Sequence, residues 1–302
     1  MARRKKGNPV HGWVVLDKPL GMTSTQAVGA VRRLFDAQKA GHAGTLDPLA
    51  TGILPIALGE ATKTVPFAVD GEKAYRFTVR FGIETDTDDA EGQVVRTSEK
   101  LPTAQEIDNI LADFTGEISQ VPPTFSAIKV EGNRAYDLAR SGESVVLEPR
   151  WIVVEDLRLI EMTEGAAVLE AECGKGTYVR ALARDMGRAL GSAAHVIGLR
   201  RTRVGAFDEA VSVKLDTLRA AAEVGNITAH LRPVEAALDD ILGLSVGAGD
   251  AANLARGQAV LVRGRDAPVL NGAAYAHFKG RILALGELEK GAFRPTRVFD
   301  FG

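Results

Sequence analysis

Residues 41–59 read GHAGTLDPLATGILPIALG. The run is mostly Ala, Leu, Ile, Gly and Pro, and a stretch so apolar belongs in a packed interior. It nevertheless carries an imidazole, His42, and a carboxylate, Asp47, near its start. Any fold this chain adopts must therefore bring an acid to the head of its own core. Asp followed by Pro is a favoured turn start, so one use of Asp47 is purely local. The context suggests another. Gly41, Gly44, Pro48 and Gly52 predict a shaped loop whose backbone comes close to something. Leu46, Leu49, Ile53 and Leu54 make its surroundings apolar. A carboxylate placed there is desolvated, and its pKa rises unless a cation keeps it charged. A carboxylate that stays ionised in such a site is a good nucleophile. A functional Asp47 thus predicts an arginine partner from elsewhere in the chain.

The best candidate is Arg180, in GKGTYVRALARDMGRALG, at a strand-to-helix junction from which side chains reach into clefts. Arg180, Arg184 and Arg188 follow at i, i+4 and i+8 and share one helical stripe. The plainer reading of that stripe is a solvated basic face, and it suits Arg188 best.

Around these residues the pattern is mixed. GWVVL (12–16) reads as a strand and DKPLG as a turn. Thr23 and Gln26 have capping-box spacing, and Val28, Val31, Leu34 and Phe35 follow at helical spacing, predicting a helix over 24–35. YRFTVRFGI (75–83) alternates as a strand, and 103–114 reads as a helix. VPPTFSAIKVEG is a Pro-bounded strand region, and NRAYDLARSGE a short helix. WIVVEDLRLIEM and AAVLEAECG are strands, TYVRALARDMGRAL is a helix stopped at Gly191, and HVIGLRRTRVGAF is a strand. Residues 214–242 read as largely helical. A boundary is expected near Gly243–Gly249, followed by a small module of short strands. Strands outnumber helices and do not alternate with them, which favours α+β over a doubly wound α/β fold.

Composition narrows the function classes. The chain is 45% hydrophobic and 25% charged with formal net charge −2, so no global basicity points to a nucleic-acid partner. The charge is uneven: Arg3, Arg4, Lys5 and Lys6 open the chain, basic residues cluster from Lys175 to Arg203, and Glu84–Glu91 is acidic. Local patches can still hold phosphates. The single cysteine, Cys173, excludes an internal disulfide framework and a cysteine-based zinc site, and fits a reducing cytosol. The basic start lacks the apolar core of a signal peptide, and no run approaches the ~18 apolar residues of a membrane helix. A cytoplasmic protein without metal or cofactor is expected. Three short patterns carry no weight. G-x-G-x-x-A at 247–252 leaves too little chain for a mononucleotide-binding sheet. S-x-x-K at 126–129 lacks a K-T-G partner. D-T-D-D at 86–89 lacks the glycine and closing glutamate of a calcium loop.

Several longer motifs, in order, resemble the TruB family, the bacterial tRNA pseudouridine-55 synthases. GHAGTLDPLATGILPIALGEATK resembles that family's active-site motif and LDKPLGMTS (16–24) its first motif. YRFTVRFGIETDTDDAEG, QVPPTFSAIKVEGNRAYDLARSGE, GTYVRALARDMG and LRRTRVG are similar as well, so the resemblance covers about residues 9–245. It implies a pseudouridine synthase fold, a central mixed, largely antiparallel sheet flanked by helices. It implies a catalytic domain over 1–245 with an RNA-gripping insertion at 118–150, and a PUA-like RNA-binding module over 246–302. Asp47 would be the catalytic aspartate, Arg180 its partner, and Tyr75 a stacking platform for the target uracil. His42 would fill the gap left in the RNA loop. Lys63, Tyr178 and Leu199 would line the pocket, and Lys18 with Pro19 would support the loop. Lys129, Arg134 and Arg140 in the insertion, with Lys175, Arg184, Arg200, Arg201 and Arg203, would meet RNA phosphates. The partner would be the T arm of tRNA, acted on by a monomer.

The chemistry fits those residue types. Pseudouridine formation breaks N1–C1′ and rejoins the sugar to C5, with no redox change. A carboxylate can add to C6, capture C1′ or remove the C2′ proton, and the sequence leaves all three open. The target base has to be flipped into a pocket. The competing class is a non-catalytic RNA-binding protein on the same scaffold, which has no use for a carboxylate facing phosphates.

Overall fold

The computed structural model describes residues 7–126, 128–130, 133–134, 147–262 and 271–302. Its strands, in chain order, are β1 (Gly12–Lys18), β2 (Ala40–His42), β3 (Ala50–Leu58), β4 (Lys73–Phe81), β5 (Ile83–Thr85), β6 (Val94–Thr97) and β7 (Gly116–Gln120). A short hairpin, β8 (Lys129–Val130) and β9 (Asn133–Arg134), precedes β10 (Arg150–Thr163), β11 (Ala166–Cys173) and β12 (Ala194–Val204). Then come β13 (Phe207–Asp208), β14 (Val213–Lys214), β15 (Leu242–Ser245), β16 (Val260–Leu261), β17 (Gly272–Phe278), β18 (Arg281–Glu289) and β19 (Ala292–Val298).

A ten-stranded sheet runs β14-β1-β3-β12-β4-β11-β10-β7, with β2 on β3 and β13 on β12. Only β1–β14 and β3–β12 pair in parallel within it, so the sheet is mixed and largely antiparallel, as the α+β reading requires. A five-stranded sheet, β15-β17-β18-β19-β16, forms the C-terminal module. Among the described residues no helix is long and apolar enough to cross a membrane.

The apolar run of the opening is only partly a loop. Its second half is β3, a central strand buried along almost its whole length between β1 and β12. Continuous apolar sequence is what a strand covered on both faces needs. Pro55 is tolerated in the middle of β3 for a definable reason. On one side β3 pairs with β12 through residues 50–52 and with β2 through residues 56–58. The Pro55 carbonyl, which accepts from the Ala43 N–H at 2.9 Å, faces the gap between them. A strand residue's N–H and C=O point the same way, so the missing donor interrupts no ladder.

Gly52 has no substitute. Its φ is +99°, and a Cβ there would sit 2.2 Å from the Arg201 carbonyl in the paired strand β12. Gly52→Ala is expected to force β3 off β12 at a cost of at least about 3 kcal/mol. Urea unfolding checks this, and an unchanged midpoint would contradict it.

The helix Ser24–Leu34 begins at Thr23 with both halves of the predicted capping box in place. The helix Val179–Ala189 lies over β4, β11 and β12, burying Leu182, Ala183 and Met186 against Phe77, Val79 and Leu169. Cys173 is buried in the same cluster, and burial pushes its thiol up to about 11, so it is an inert small hydrophobe.

Two sequence expectations are corrected. Residues 214–242 hold one helix, Leu215–Glu223, followed by 3-10 turns at Ile227–His230 and Val234–Ala237. Gly225 takes φ +72° just past the helix, a left-handed stop, and Pro233 sits before the last turn. Expected helix 103–114 is α-helical only over Ala104–Ile110 and tightens to a 3-10 turn at Leu111–Phe114. Strand β15 pairs with β17, so the second sheet begins at Leu242. The helix expected over NRAYDLARSGE falls mostly outside the described residues; Asn133 and Arg134 are in β9.

The two sheets share a core. Trp13, Val15 and Phe207 from the first pack with Ile282 and Leu285 from the second, joined by Ala61 just past β3 and Phe299 just past β19. The chain leaves the first sheet after Gln120 and returns to it at Arg150, residues paired side by side at the sheet edge.

Candidate active site

Asp47 lies in the turn between β2 and β3, and four sets of contacts hold that turn. The Ala50 N–H donates to the Asp47 carbonyl at 3.0 Å. Ser24 Oγ donates to the Leu46 carbonyl and accepts the Leu46 N–H, both at 2.9 Å. Lys18, fully buried, donates from Nζ to the Met22 carbonyl at 2.7 Å, to Pro19 at 3.1 Å and to Pro48 at 3.5 Å. Burial pulls the Lys18 ammonium down to about 8, opposed by the Asp47 charge and helped by Arg201. Arg201, also buried, donates to the carbonyls of Ile53 (2.8 Å), Thr45 (3.1 Å) and Gly44 (3.1 Å). Two buried cations thus collect the carbonyls that such a tight loop would otherwise leave unpaired.

The predicted partner is in place. Arg180 Nη2 sits 2.9 Å from Asp47 Oδ2. Arg180 also donates to the carbonyls of Thr87 (2.8 Å) and Phe125 (3.0 Å) and lies 3.5 Å from Asp89 Oδ2. Its side chain is 7% exposed and that of Asp47 is 39% exposed. The expectation of a desolvated carboxylate is therefore corrected: the guanidinium is buried, and the acid stands at an opening where a bound molecule would complete its burial.

That opening is a cavity of about 280 Å³ walled by Asp47, Tyr75, Tyr178, Arg180, Leu199 and Arg201, with Lys73, Ser126 and Lys175. Burial pushes the Tyr75 phenol up, with the Arg201 charge opposing it, so Tyr75 offers a ring face and a protonated hydroxyl. Burial raises Tyr178 as well. Lys73 is held by the carbonyls of Val69 and Gly71, and its pKa is lowered by burial and by Arg201. The result is a carboxylate beside a floor of apolar and aromatic surface, suited to a flat uncharged ring.

Other nominated residues fall elsewhere. Lys63 does not reach the cavity: it pairs with Glu60, donates to the Val298 carbonyl at 2.7 Å and lies over Phe299, joining the two sheets. Lys18, for which loop support is the expected part, is fully buried and bonded to the carbonyls of Pro19, Met22 and Pro48. His42, half-buried at the end of β2, is not among the cavity walls; burial and Arg201 lower its pKa, leaving it neutral at pH 7.

Two of the residues expected to meet phosphates are buried. Arg201 bonds the loop from below, and Arg184 pairs with Asp88 and Asp185. Arg200 binds Asp17 and Glu209, and Arg203 binds Glu172; both remain about a third exposed. Lys175 is well exposed, paired at 2.9 Å with an equally open Asp70. Lys129 and Arg134 lie opposite each other in the β8–β9 hairpin. Arg140 lies outside the described residues.

Sequence reasoning missed the counter-charge. The acidic stretch at 84–91 runs against the arginine stripe: Arg188 meets Glu84, Arg184 meets Asp88, and Arg180 meets Asp89. Arg180 and Arg184 are docked, whereas Arg188 meets Glu84 from a side chain that stays 53% exposed. Four-residue spacing on the helix and closely spaced acids in the turn were the available signal.

The architecture has close counterparts. A chain of a Cbf5–Nop10–Gar1 complex superposes with a TM-score of 0.74 at 26% identity, covering 96% of this chain and 85% of that one. The fold is that of a pseudouridine synthase. The profile of the N-terminal domain of TruB family pseudouridylate synthases matches residues 32–179, and that of the tRNA pseudouridylate synthase B C-terminal domain matches residues 180–239. The tRNA pseudouridine synthase B of Nitrobacter winogradskyi is 59% identical over 98% of this chain and 85% of its own length. That of Caulobacter vibrioides is 51% identical over 99% of both. The chain belongs to the TruB family.

Proposed function

We propose that this protein isomerises uridine to pseudouridine in tRNA, at position 55 of the T loop, with Asp47 as the group that attacks. The observation that carries this reading is the 2.9 Å Asp47–Arg180 pair at the mouth of an aromatic and apolar cavity. The target uridine flips out and its base lies against Tyr75, between Leu199 and Tyr178. The glycosidic N1–C1′ bond breaks with help from the carboxylate, and C1′ rejoins at C5. The C5 proton leaves to solvent and N1 ends protonated, so atoms and charge balance without an oxidant. Arg180 keeps the Asp47 carboxylate aimed while the bound base closes off water.

In this reading His42 props the RNA loop open, and the 118–150 segment, with Lys129, Arg134 and Arg140, grips the T arm. Lys175, Arg200 and Arg203 meet phosphates. The module over 246–302 is a PUA-like RNA-binding unit, and the enzyme works as a cytoplasmic monomer without a cofactor. The test is to map pseudouridine in unmodified tRNA transcript by carbodiimide adduct stops. A single stop at position 55, retained in an isolated T-arm hairpin, is expected. Modification spread over other loops would contradict the assignment of site.

A further inference from the structure

The mechanism leaves one buried ion pair unused. Asp88 and Arg184 are both buried, with Arg184 Nη1 2.9 Å from Asp88 Oδ2. A buried pair of this kind is weak evidence for stability, because desolvation offsets its attraction, and its best-attested use is to fix a geometry. Arg184 stands one helical turn from Arg180, and Asp88 is the neighbour of Asp89, which Arg180 faces. The Asp88 carbonyl accepts the Val196 N–H at 3.0 Å, tying the acidic turn to β12. Arg184 Nη2 donates to the Val121 carbonyl at 2.8 Å, while Arg180 Nη2 reaches both Asp47 and the Phe125 carbonyl. The two arginines therefore grip the acidic turn on one side and residues 121–125, the root of the insertion, on the other. Gln120 closes the same root by exchanging hydrogen bonds with the Tyr178 backbone, at 2.9 and 3.2 Å.

We propose that the Asp88–Arg184 pair is a positioning pair that sets where the Arg180 guanidinium meets Asp47 and couples that setting to the root of the insertion. Neither residue touches substrate. The proposal rests on the catalytic reading of Asp47 for its kinetic consequence but not for its structural one.

The groups facing Asp88 are Arg184, Arg180 and Asp185 from the helix, with Asp89 beside it in the turn. Burial pushes the Asp88 carboxyl up to about 6, with both arginines opposing. Asp88 is thus ionised at pH 7 and takes a proton as pH falls through about 6, which discharges the pair. His42 also titrates below its usual range, so wild-type pH dependence alone does not separate them.

Asp88→Asn does separate them. Asp88 has φ +59°, a left-handed conformation that Asn also tolerates, so the backbone is kept and only the titration is removed. Single-turnover kcat on tRNA would be read from pH 5 to 8, with tRNA affinity measured alongside. Asp88→Asn is expected to lower kcat at pH 7.5 by about five- to twentyfold, with affinity within twofold. It should also flatten the acid limb near pH 6. Arg184→Ala is read by hydrogen exchange, with faster exchange expected at 119–126 and 176–182 and none at the helix 24–34. If Asp88→Asn keeps the wild-type limb and kcat within twofold, the proposal is overturned. Unchanged exchange in Arg184→Ala overturns it independently. A wild type that makes no pseudouridine would defeat the catalytic reading, and the exchange result would still decide the pair.

Discussion

Asp47→Asn is expected to remove turnover by a factor on the order of 10³ or more, the scale on which loss of a nucleophile acts. The amide has the carboxylate's shape and keeps a hydrogen bond to Arg180, but it neither attacks carbon nor removes a proton. The fold should survive, because the turn is held by Ser24, Lys18 and Arg201 through backbone atoms, not through the Asp47 side chain. Arg180 would keep Asp89 and two carbonyls as partners. Binding of tRNA should be equal or tighter, since a negative charge facing phosphates has been removed. Circular dichroism, a filter-binding titration and a turnover assay on one preparation check the three statements together.

Arg180→Ala is the second large effect. The guanidinium makes four interactions from one buried position, and a methyl group makes none of them. Asp47 and Asp89 would then face each other without a cation between them, and the Thr87 and Phe125 carbonyls would lose a donor. A fall in kcat of about 10² to 10³ is expected, the range seen when one preorganised electrostatic partner is removed. The affinity for tRNA should fall much less, because Arg180 is buried behind Asp47 and does not face the backbone of an RNA. Equal losses of kcat and affinity would make Arg180 a phosphate contact and contradict its assigned place.

The Asp47–Arg180 pair was legible because both halves obey a local rule. An acid at the head of an apolar run needs a cation, and a strand-to-helix junction presents one. The hairpin of β10 and β11 was legible from alternation, and the first helix from its capping box. Arg201 was misread because it sits in a basic cluster, RRTR, that looks like surface. Strand alternation held the correction: Arg201 shares a face with Leu199 two residues before it, and both line the cavity. The docking of the arginine stripe was not legible as a contact, because Asp88 and Arg184 lie 96 residues apart in sequence. Only the path of β4 and β5 beside β12 brings them together. Lys63 rested on resemblance alone, and its partners, Glu60 and the Val298 carbonyl, show a role in joining the sheets.

The central claim is that Asp47 is there to attack. Its most direct test is tritium release from unmodified tRNA transcript labelled at uracil C5, with wild type and Asp47→Asn run side by side. The account predicts release of one equivalent, from a T-loop uridine, by wild type alone. Absence of release by a wild type that binds tRNA tightly would contradict it, and would return Asp47 to the part of a turn residue.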